Sequence, residues 1–445
     1  MSMWPRLVGN KILRKRFGSN NFVADLPIYT ETLLEMPSLD HQPSLSETIF
    51  NHHKETQNFK VFVSTWNVGG VAPHEDLDME DWLDTRNNSC DIYVMGFQEL
   101  VPLRALTVLG PENNKIFKKW NSLIRKALNK KSHSRDKIEN DKLEEVQSLS
   151  PIHEGKSNEN NIPREEFRCI MSKQMVGICI SVWIRSDLRP YVRHPSVSCV
   201  GCGIMGYLGN KGSVSVRFQL HETSFCFVCS HLASGGREGD EKYRNSDVAE
   251  ILSRTSFPNG GRSLNLPQNI LDHDQVILLG DLNYRISLPE ETTRLLVERR
   301  EWNPLLENDQ LRMELMNGQI LQSWNEGAIK FAPTYKYYPN SDVYYGCVQG
   351  KKGKKWRAPA WCDRIIWNGR GLKQHLYARG ETKLSDHRPV KAVFSAEVEI
   401  LRTLKGIQSF FMSERFDRIT THFEISLSED NFLCPGRASS FQIRG

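Results

Sequence analysis

DQVILLGDLNYR, residues 274–285, is the stretch on which the reading of the fold turns. Four apolar residues, two of them β-branched, run into Gly280, Asp281 and Asn283, as a strand runs into a loop. The same signature recurs outward from it in KVFVSTWNV (60–68), DIYVMGFQEL (91–100), GICISVWIR (177–185), GSVSVRFQL (212–220), TSFCFVCSHL (223–232), DRIIWNG (363–369) and VKAVFSAEVEI (390–400). Helical patterns at 116–129, 238–254, 289–302 and 303–317 separate several of these runs. In the third, Pro289 stands near the start, with acids in the first turn and bases later, as the helix dipole favours. Strict strand–helix alternation is absent, so the pattern predicts an α/β protein of two packed sheets with helices outside them.

The chain has 445 residues, 39% of them hydrophobic, with 30 glycines. Such a composition suits a globular protein and excludes collagen, coiled coil and whole-chain disorder. Its longest apolar stretches, such as residues 276–279, fall far short of the ~18 residues of a membrane span. The opening MSMWPRLVGNKILRKRF lacks an apolar segment followed by a small-residue cleavage site. A reducing, cytoplasmic location is therefore expected, with peripheral membrane contact or a nuclear share as alternatives. Ten cysteines are spread through the chain, which favours buried thiols over disulfides. Cys199/Cys202 and Cys226/Cys229 have the outward form of a zinc ribbon, but the second pair lies on a strand-like run, where side chains three apart face opposite ways.

The net charge of +5 is mild, and residues 1–17 carry Arg6, Lys11, Arg14, Lys15 and Arg16 without an acid. Pro5 and Gly9 weaken any helix there, so this is a solvated basic arm or one that touches an acidic membrane surface. No repeat is visible, and one catalytic unit over 56–400 is expected, between an N-terminal arm (1–55) and a C-terminal tail (401–445). Residues 130–165 are polar, charge-mixed and almost without aromatics, the composition of a disordered surface insertion.

The runs deliver a short list of polar residues at their ends: Asn67, Glu99, His231, Asp281 and Asn283, then Asp363, Asp386 and His387. Loops at strand ends are where a rigid sheet displays reactive groups. Glu99 and Asn67 are hard oxygen ligands, which suit a Mg²⁺ ion completed by water and phosphate and disfavour zinc. Asp281 and Asn283, two apart on extended chain, would share one face, one handling a proton while the other donates to a phosphoryl oxygen. His387 needs an orienting carboxylate, for which Asp363 and Asp386 both qualify. No serine elbow or phosphate-binding P-loop is present, so the chemistry indicated is metal-assisted hydrolysis of a phosphate ester by water.

The ordered set TWN (65–67), GFQE (96–99), GNKGSVSVRF (209–218), SHLASG (230–235), GDLNYRI (280–286), PTYKY (333–337), RAPAWCDRI (357–365) and SDHRPV (385–390) resembles the inositol polyphosphate 5-phosphatases, within the superfamily of metal-dependent exonucleases, endonucleases and phosphatases. The match runs from about 58 to 396, and the opening WPRLV resembles the plant-type, type I members. The resemblance implies a four-layer α/β sandwich of two central mixed sheets flanked by helices. It implies that Glu99 binds Mg²⁺ with Asn67 alongside, that Asp281 positions and deprotonates the attacking water, and that Asn283 contacts the 5-phosphate. His387, held by Asp363, and His231 would stabilise charge on the phosphoryl oxygens, with Asp386 supporting the metal and water network.

By the same resemblance Tyr335, Lys336, Lys355 and Arg357 would grip the 4-phosphate, and Lys242, Arg244 and Asn245 would meet the 1-phosphate. Tyr207 and Leu208 sit where family members touch lipid. Fixed cations are what a second, non-reacting phosphate requires, Arg bidentately and Lys as a point charge. The expected partner is an inositol polyphosphate or phosphoinositide, with no nucleic acid and a monomeric chain. The rivals are a nuclease of the same superfamily, which has no need of a vicinal-phosphate clamp, and an inactive phosphoinositide-binding scaffold, against which every catalytic position is filled.

Overall fold

The computed structural model describes residues 22–25, 53–85, 89–102, 114–130, 165–203, 209–260, 265–318, 320–346 and 357–402. The expected arm, the insertion at 130–165 and the tail fall almost wholly outside these. The chain divides into two compact units, residues 1–39 with 56–399 and residues 40–55 with 400–445. Nearly all described residues belong to the first.

Twelve strands are described: β1 (His53–Asn67), β2 (Ile92–Gln98), β3 (Phe167–Met175), β4 (Ile178–Arg185), β5 (Val192–Gly201), β6 (Gly212–Leu220), β7 (Thr223–His231), β8 (Gln275–Asp281), β9 (Asn325–Glu326), β10 (Asp363–Asn368), β11 (Leu372–Arg379) and β12 (Val390–Arg402). They form two six-stranded sheets, ordered β11-β12-β1-β2-β4-β3 and β5-β6-β7-β8-β10-β9. Each sheet has one parallel pair inside it, β1 with β2 and β7 with β8, and the pairs described around these are antiparallel. The two mixed sheets match the fold expected from the sequence.

Strand β8 is buried along its whole length because both its faces are covered. Val276 and Leu278 face an outer layer built from Val248 and Ile251 of helix α3 (Glu241–Arg254), Phe257, Ile270 and Trp324. The residues between them face the other sheet, and the packing there is close. A Cβ on Gly96 of β2 would come within 2.8 Å of Cys229 Sγ and of the Leu279 side chain. Cys226 and Cys229 therefore point to opposite sides of their strand, Cys226 into the outer layer.

The other outer layer comprises α1 (Met79–Leu83) and α2 (Lys115–Leu128), whose Trp82 and Trp120 meet Trp66 and Phe97 of the first sheet edge to face or tilted, with ring centroids 4.8–5.8 Å apart. Helices α4 (Glu290–Glu298), α5 (Trp302–Glu307) and α6 (Gln310–Asn317) follow β8, close to the two patterns read at 289–317.

Strands β3, β5 and β11 carry no expectation from the sequence, and all three lie at sheet edges. Each is broken by a register shift, at Cys169/Met171, Arg193/Ser196 and Gln374/Leu376. Bulges and polar residues are how edge strands avoid further pairing, and they erase the apolar run that marks a central strand. In β5 the shift falls where His194 takes a left-handed conformation, φ 51°, beside Pro195.

Candidate active site

The inner parallel pairs deliver the site. Asn67 is the last residue of β1, Glu99 follows β2, and His231 and Asp281 end β7 and β8. Asp363 begins β10 directly opposite Asp281. His387 precedes β12, and the Trp66 indole of the aromatic layer donates to its carbonyl oxygen at 3.2 Å. Rigid layers on both sides thus fix these groups at one edge of the sandwich.

At the mouth, the Asn67 Nδ2 donates to Asp281 Oδ2 at 2.9 Å and lies 3.4 Å from Glu99 Oε1. Glu99 takes a left-handed conformation, φ 50°, which turns it out of the strand, and its side chain is 32% exposed while that of Asp281 is buried. The three residues offer hard oxygens and no sulfur, and among the described residues the Glu99 carboxylate has long contacts, to Asn67 and His231, so the set fits a hard divalent cation. Asp281, Asp363 and His387 also bring ligand atoms within 4.8 Å of one another, but all three are buried and the histidine already engages Asp363 Oδ2.

The two histidines differ in charge. His387 Nδ1 lies 2.8 Å from Asp363 Oδ2, which also accepts from the Thr334 hydroxyl at 2.7 Å. Burial alone would lower the imidazole, but the Asp363 carboxylate, then Asp281 and Asp386, hold it up at about 9. Burial raises the Asp363 carboxyl too, yet its two accepted hydrogen bonds keep the proton on the ring. Between the two orienters the sequence left open, the register of β10 selects Asp363. Asp386 instead pairs with Lys336.

His231 is pushed down, first by burial and then by the adjoining Lys211 ammonium, whose Nζ contacts Nε2. Burial lowers Lys211 itself to about 8, against the pull of Asp281 and Glu99. The positive charge beside Asp281 on this side therefore belongs to Lys211, a residue of the GNKG motif to which the sequence assigned no part. Its signal was a lysine between glycines at a strand start. Asp281, though buried, is held well below the usual carboxylate range by the neighbouring His231, His387 and Lys211.

Two expectations need correction. Asn283 does not share a face of an extended strand with Asp281, because β8 ends at Asp281 and Asn283 is left-handed, φ 57°. Its backbone N–H donates to Asp281 Oδ1 at 3.1 Å, an Asx turn. Its amide Nδ2 donates to the Leu232 carbonyl at 3.1 Å. Arg244 is fully buried and donates to Gln310 Oε1 at 2.6 Å and to the Gly235 carbonyl at 3.3 Å, so it braces the loop after β7 from the interior and is not open to a 1-phosphate.

Among the remaining expected ligands, Tyr335 packs its ring 4.6 Å from that of His387, and Lys336 is partly exposed beside it. Arg357 is half-buried, and one guanidinium nitrogen lies 3.6 Å from where a Cβ on Gly236 would stand, in the loop after β7. Lys242 is exposed at the start of α3, and Asn245 accepts from the Tyr284 hydroxyl at 2.6 Å. Lys355, Tyr207 and Leu208 lie outside the described residues.

Asp247, one turn beyond Arg244, anchors the same loop by accepting from the Ala233 N–H at 2.7 Å. Burial pushes its carboxyl up to about 6 from 3.8. A pKa raised on folding favours the folded state while the group is protonated, and that advantage is lost as pH rises through about 6. Asp247→Asn keeps the acceptor without the charge. Its stability relative to wild type should rise by roughly 2–3 kcal/mol between about pH 4 and pH 7. A difference in melting temperature independent of pH would contradict this.

Comparison with known proteins agrees with this geometry. Residues 64–393 match the family described as Endonuclease/Exonuclease/phosphatase family 2. The chain is 65% identical over 417 residues to type IV inositol polyphosphate 5-phosphatase 9 of Arabidopsis thaliana, covering 93% of this chain and 96% of that one. It is 46% identical over 423 residues to type I inositol polyphosphate 5-phosphatase 8 of the same plant, covering 90% and 87%. Its fold is similar to the crystal structure of the inositol polyphosphate 5-phosphatase domain of SPsynaptojanin in complex with inositol (1,4)-bisphosphate and calcium, with a TM-score of 0.61, 27% identity, and coverage of 86% and 96%. Relatives named type I and type IV both match, so what the comparisons carry is the family and not the subtype expected from the opening residues. With its two mixed sheets, its strand-end carboxylates and these relatives, the chain belongs to the inositol polyphosphate 5-phosphatase family.

Proposed function

We propose that the protein is a Mg²⁺-dependent phosphatase that removes the 5-phosphate from inositol polyphosphates or phosphoinositides also bearing a 4-phosphate. The observation that carries this is the join between the two grips. The Tyr335–Lys336 pair expected to hold the neighbouring phosphate packs against His387, the rings tilted at 40°, and binds Asp386, the residue before it. A nuclease has no use for that arrangement.

Glu99 and Asn67 would hold the ion, which supplies charge to offset that building on the phosphoryl and leaving oxygens. Asp281, fixed by Asn67, accepts a hydrogen bond from the attacking water and aims it at phosphorus. With its low pKa it is suited to orienting the water rather than to holding its proton for long. The His387 imidazolium, oriented by Asp363, and the Asn283 amide donate to phosphoryl oxygens as the bond to the inositol oxygen breaks. Lys336 and Arg357 hold the 4-phosphate, a group that does not react but whose binding energy seats the one that does.

Phosphate release from soluble and lipid substrates, with and without Mg²⁺, tests the reading, and the same assay separates the two sources of the headgroup. Arg357→Ala and Lys336→Ala should each lower kcat/KM for 4,5-bisphosphorylated substrates by ~10- to 100-fold, the loss of one charge-assisted contact of roughly 1.5–3 kcal/mol. Hydrolysis of a 5-phosphate without its 4-neighbour should barely change. Equal fractional losses on both would mean that the cations serve only general electrostatics or folding.

A further inference from the structure

The last residue of the opening stretch, Arg285, has no part in the scheme above, yet its contacts place it within the site. Its Nη2 donates to Asn283 Oδ1 at 2.7 Å and its Nε to the Asn283 carbonyl at 3.1 Å. Its guanidinium carbon lies 4.6 Å from the centroid of the Tyr335 ring. Its own backbone is clamped, since the N–H donates to Gln310 Oε1 and the carbonyl accepts from the Gln310 N–H, both at 2.9 Å.

Other arginines of the interior are satisfied differently. Arg364, fully buried, pairs with Asp309 and Glu326, and Arg379 pairs with Glu381. Arg217 and Arg244 cap carbonyl or amide oxygens of distant segments and so tie the fold together. Among the described residues Arg285 makes no ion pair, and its guanidinium bonds stay within the site, two to Asn283 and one to the side chain of Tyr335. A largely enclosed cation spent on one asparagine and the aromatic ring beside it ties no distant segments of the fold together. It does define that asparagine.

A carboxamide presents an oxygen on one side and two N–H donors on the other, and only the donor side suits a phosphoryl oxygen. With Oδ1 held by the guanidinium and one N–H directed to the Leu232 carbonyl, the second N–H is left for a ligand. Turned over, the amide would present a lone pair to the phosphate.

We propose that Arg285 is a positioning residue that locks the carboxamide of Asn283, with the Tyr335 ring holding the guanidinium in its plane. The proposal rests on the reading of Asn283 as a donor to the reacting phosphate. Planarity is what it requires. A lysine supplies the charge, but as a point charge without the fork that meets both the side-chain and the main-chain oxygen, and without a flat face for the ring.

Arg285→Lys therefore separates charge from geometry. On a 4,5-bisphosphorylated substrate with Mg²⁺, kcat should fall ~10-fold or more while KM stays within about twofold, because the lost contact matters in the transition state. Asn283→Ala should cost at least as much. The double variant Asn283→Ala/Arg285→Lys should be within about threefold of Asn283→Ala alone, since Arg285 acts only through that side chain. Arg285→Gln, which keeps a planar donor without charge, is the second probe should the lysine variant fold poorly, and it should recover part of the loss shown by Arg285→Ala. Wild-type kcat in Arg285→Lys, or losses that multiply in the double variant, would overturn the inference while leaving the function reading intact. A wild-type protein that releases no phosphate would overturn that reading, and the inference with it.

Discussion

Asp363→Asn and His387→Ala are each expected to lower kcat by several orders of magnitude, and the double variant by little more than either. The reason is that the two residues form one device. Asp363 Oδ2 holds the Nδ1 side of the ring at 2.8 Å, leaving Nε2, 4.0 Å from Asp281 Oδ2, as the end that faces the site. Remove either member and the donor to the phosphoryl oxygen is lost or misdirected. The pH profile adds a readout that a structural role would not move. With His387 held at about 9, wild-type activity should decline on the alkaline side as the imidazolium loses its proton there. In Asp363→Asn the cause of that elevation is gone and burial acts unopposed by it, so the decline should move to lower pH. Losses that multiply in the double variant, or an alkaline limb unmoved by Asp363→Asn, would show that the residues act independently.

What could be read in advance follows from burial. Central strands such as β8 are covered on both faces, so their apolar runs and the polar residues at their ends are visible in one dimension. The edge strands β3, β5 and β11 are bulged and carry polar residues, and no periodicity survives to mark them. Some information was present and pointed elsewhere. Arg244 shares a helical stripe with Asp247, Val248 and Ile251, at spacings of three, four and seven, and that stripe is the buried face of α3. Helical periodicity assigns Arg244 to the interior, where it braces Gly235 and Gln310, and outranks the motif that made it a phosphate ligand. Asn283 failed for a different reason, because an Asx turn two residues after a strand end is local hydrogen bonding that no hydropathy pattern records. Lys211 and Arg285 needed three dimensions. Each is set by a neighbour that the fold brings to it, His231 against the Lys211 ammonium and the Tyr335 ring against the Arg285 guanidinium.

Glu99→Gln is expected to abolish turnover while leaving the fold in place. The side chain is 32% exposed and its contacts to Asn67 and His231 are long, 3.4 and 3.8 Å, so little of the packing depends on its charge. The amide keeps the shape and removes one negative charge from a site whose other acid, Asp281, is shared with His231 and His387. Hard cations are held by charge and by oxygen number, so the affinity for Mg²⁺ measured calorimetrically should fall along with kcat. A loss of roughly 4 kcal/mol of charge stabilisation would lower the rate by ~10³-fold. The variant also removes one of the three carboxylates, Asp281, Glu99 and Asp247, that support the Lys211 ammonium against burial, so Lys211 should shift further down from about 8. Raising Mg²⁺ should restore part of the activity if occupancy is what was lost. Near wild-type turnover of Glu99→Gln in limiting Mg²⁺, with unchanged metal affinity, would remove Glu99 from the ion and with it the metal assignment made here.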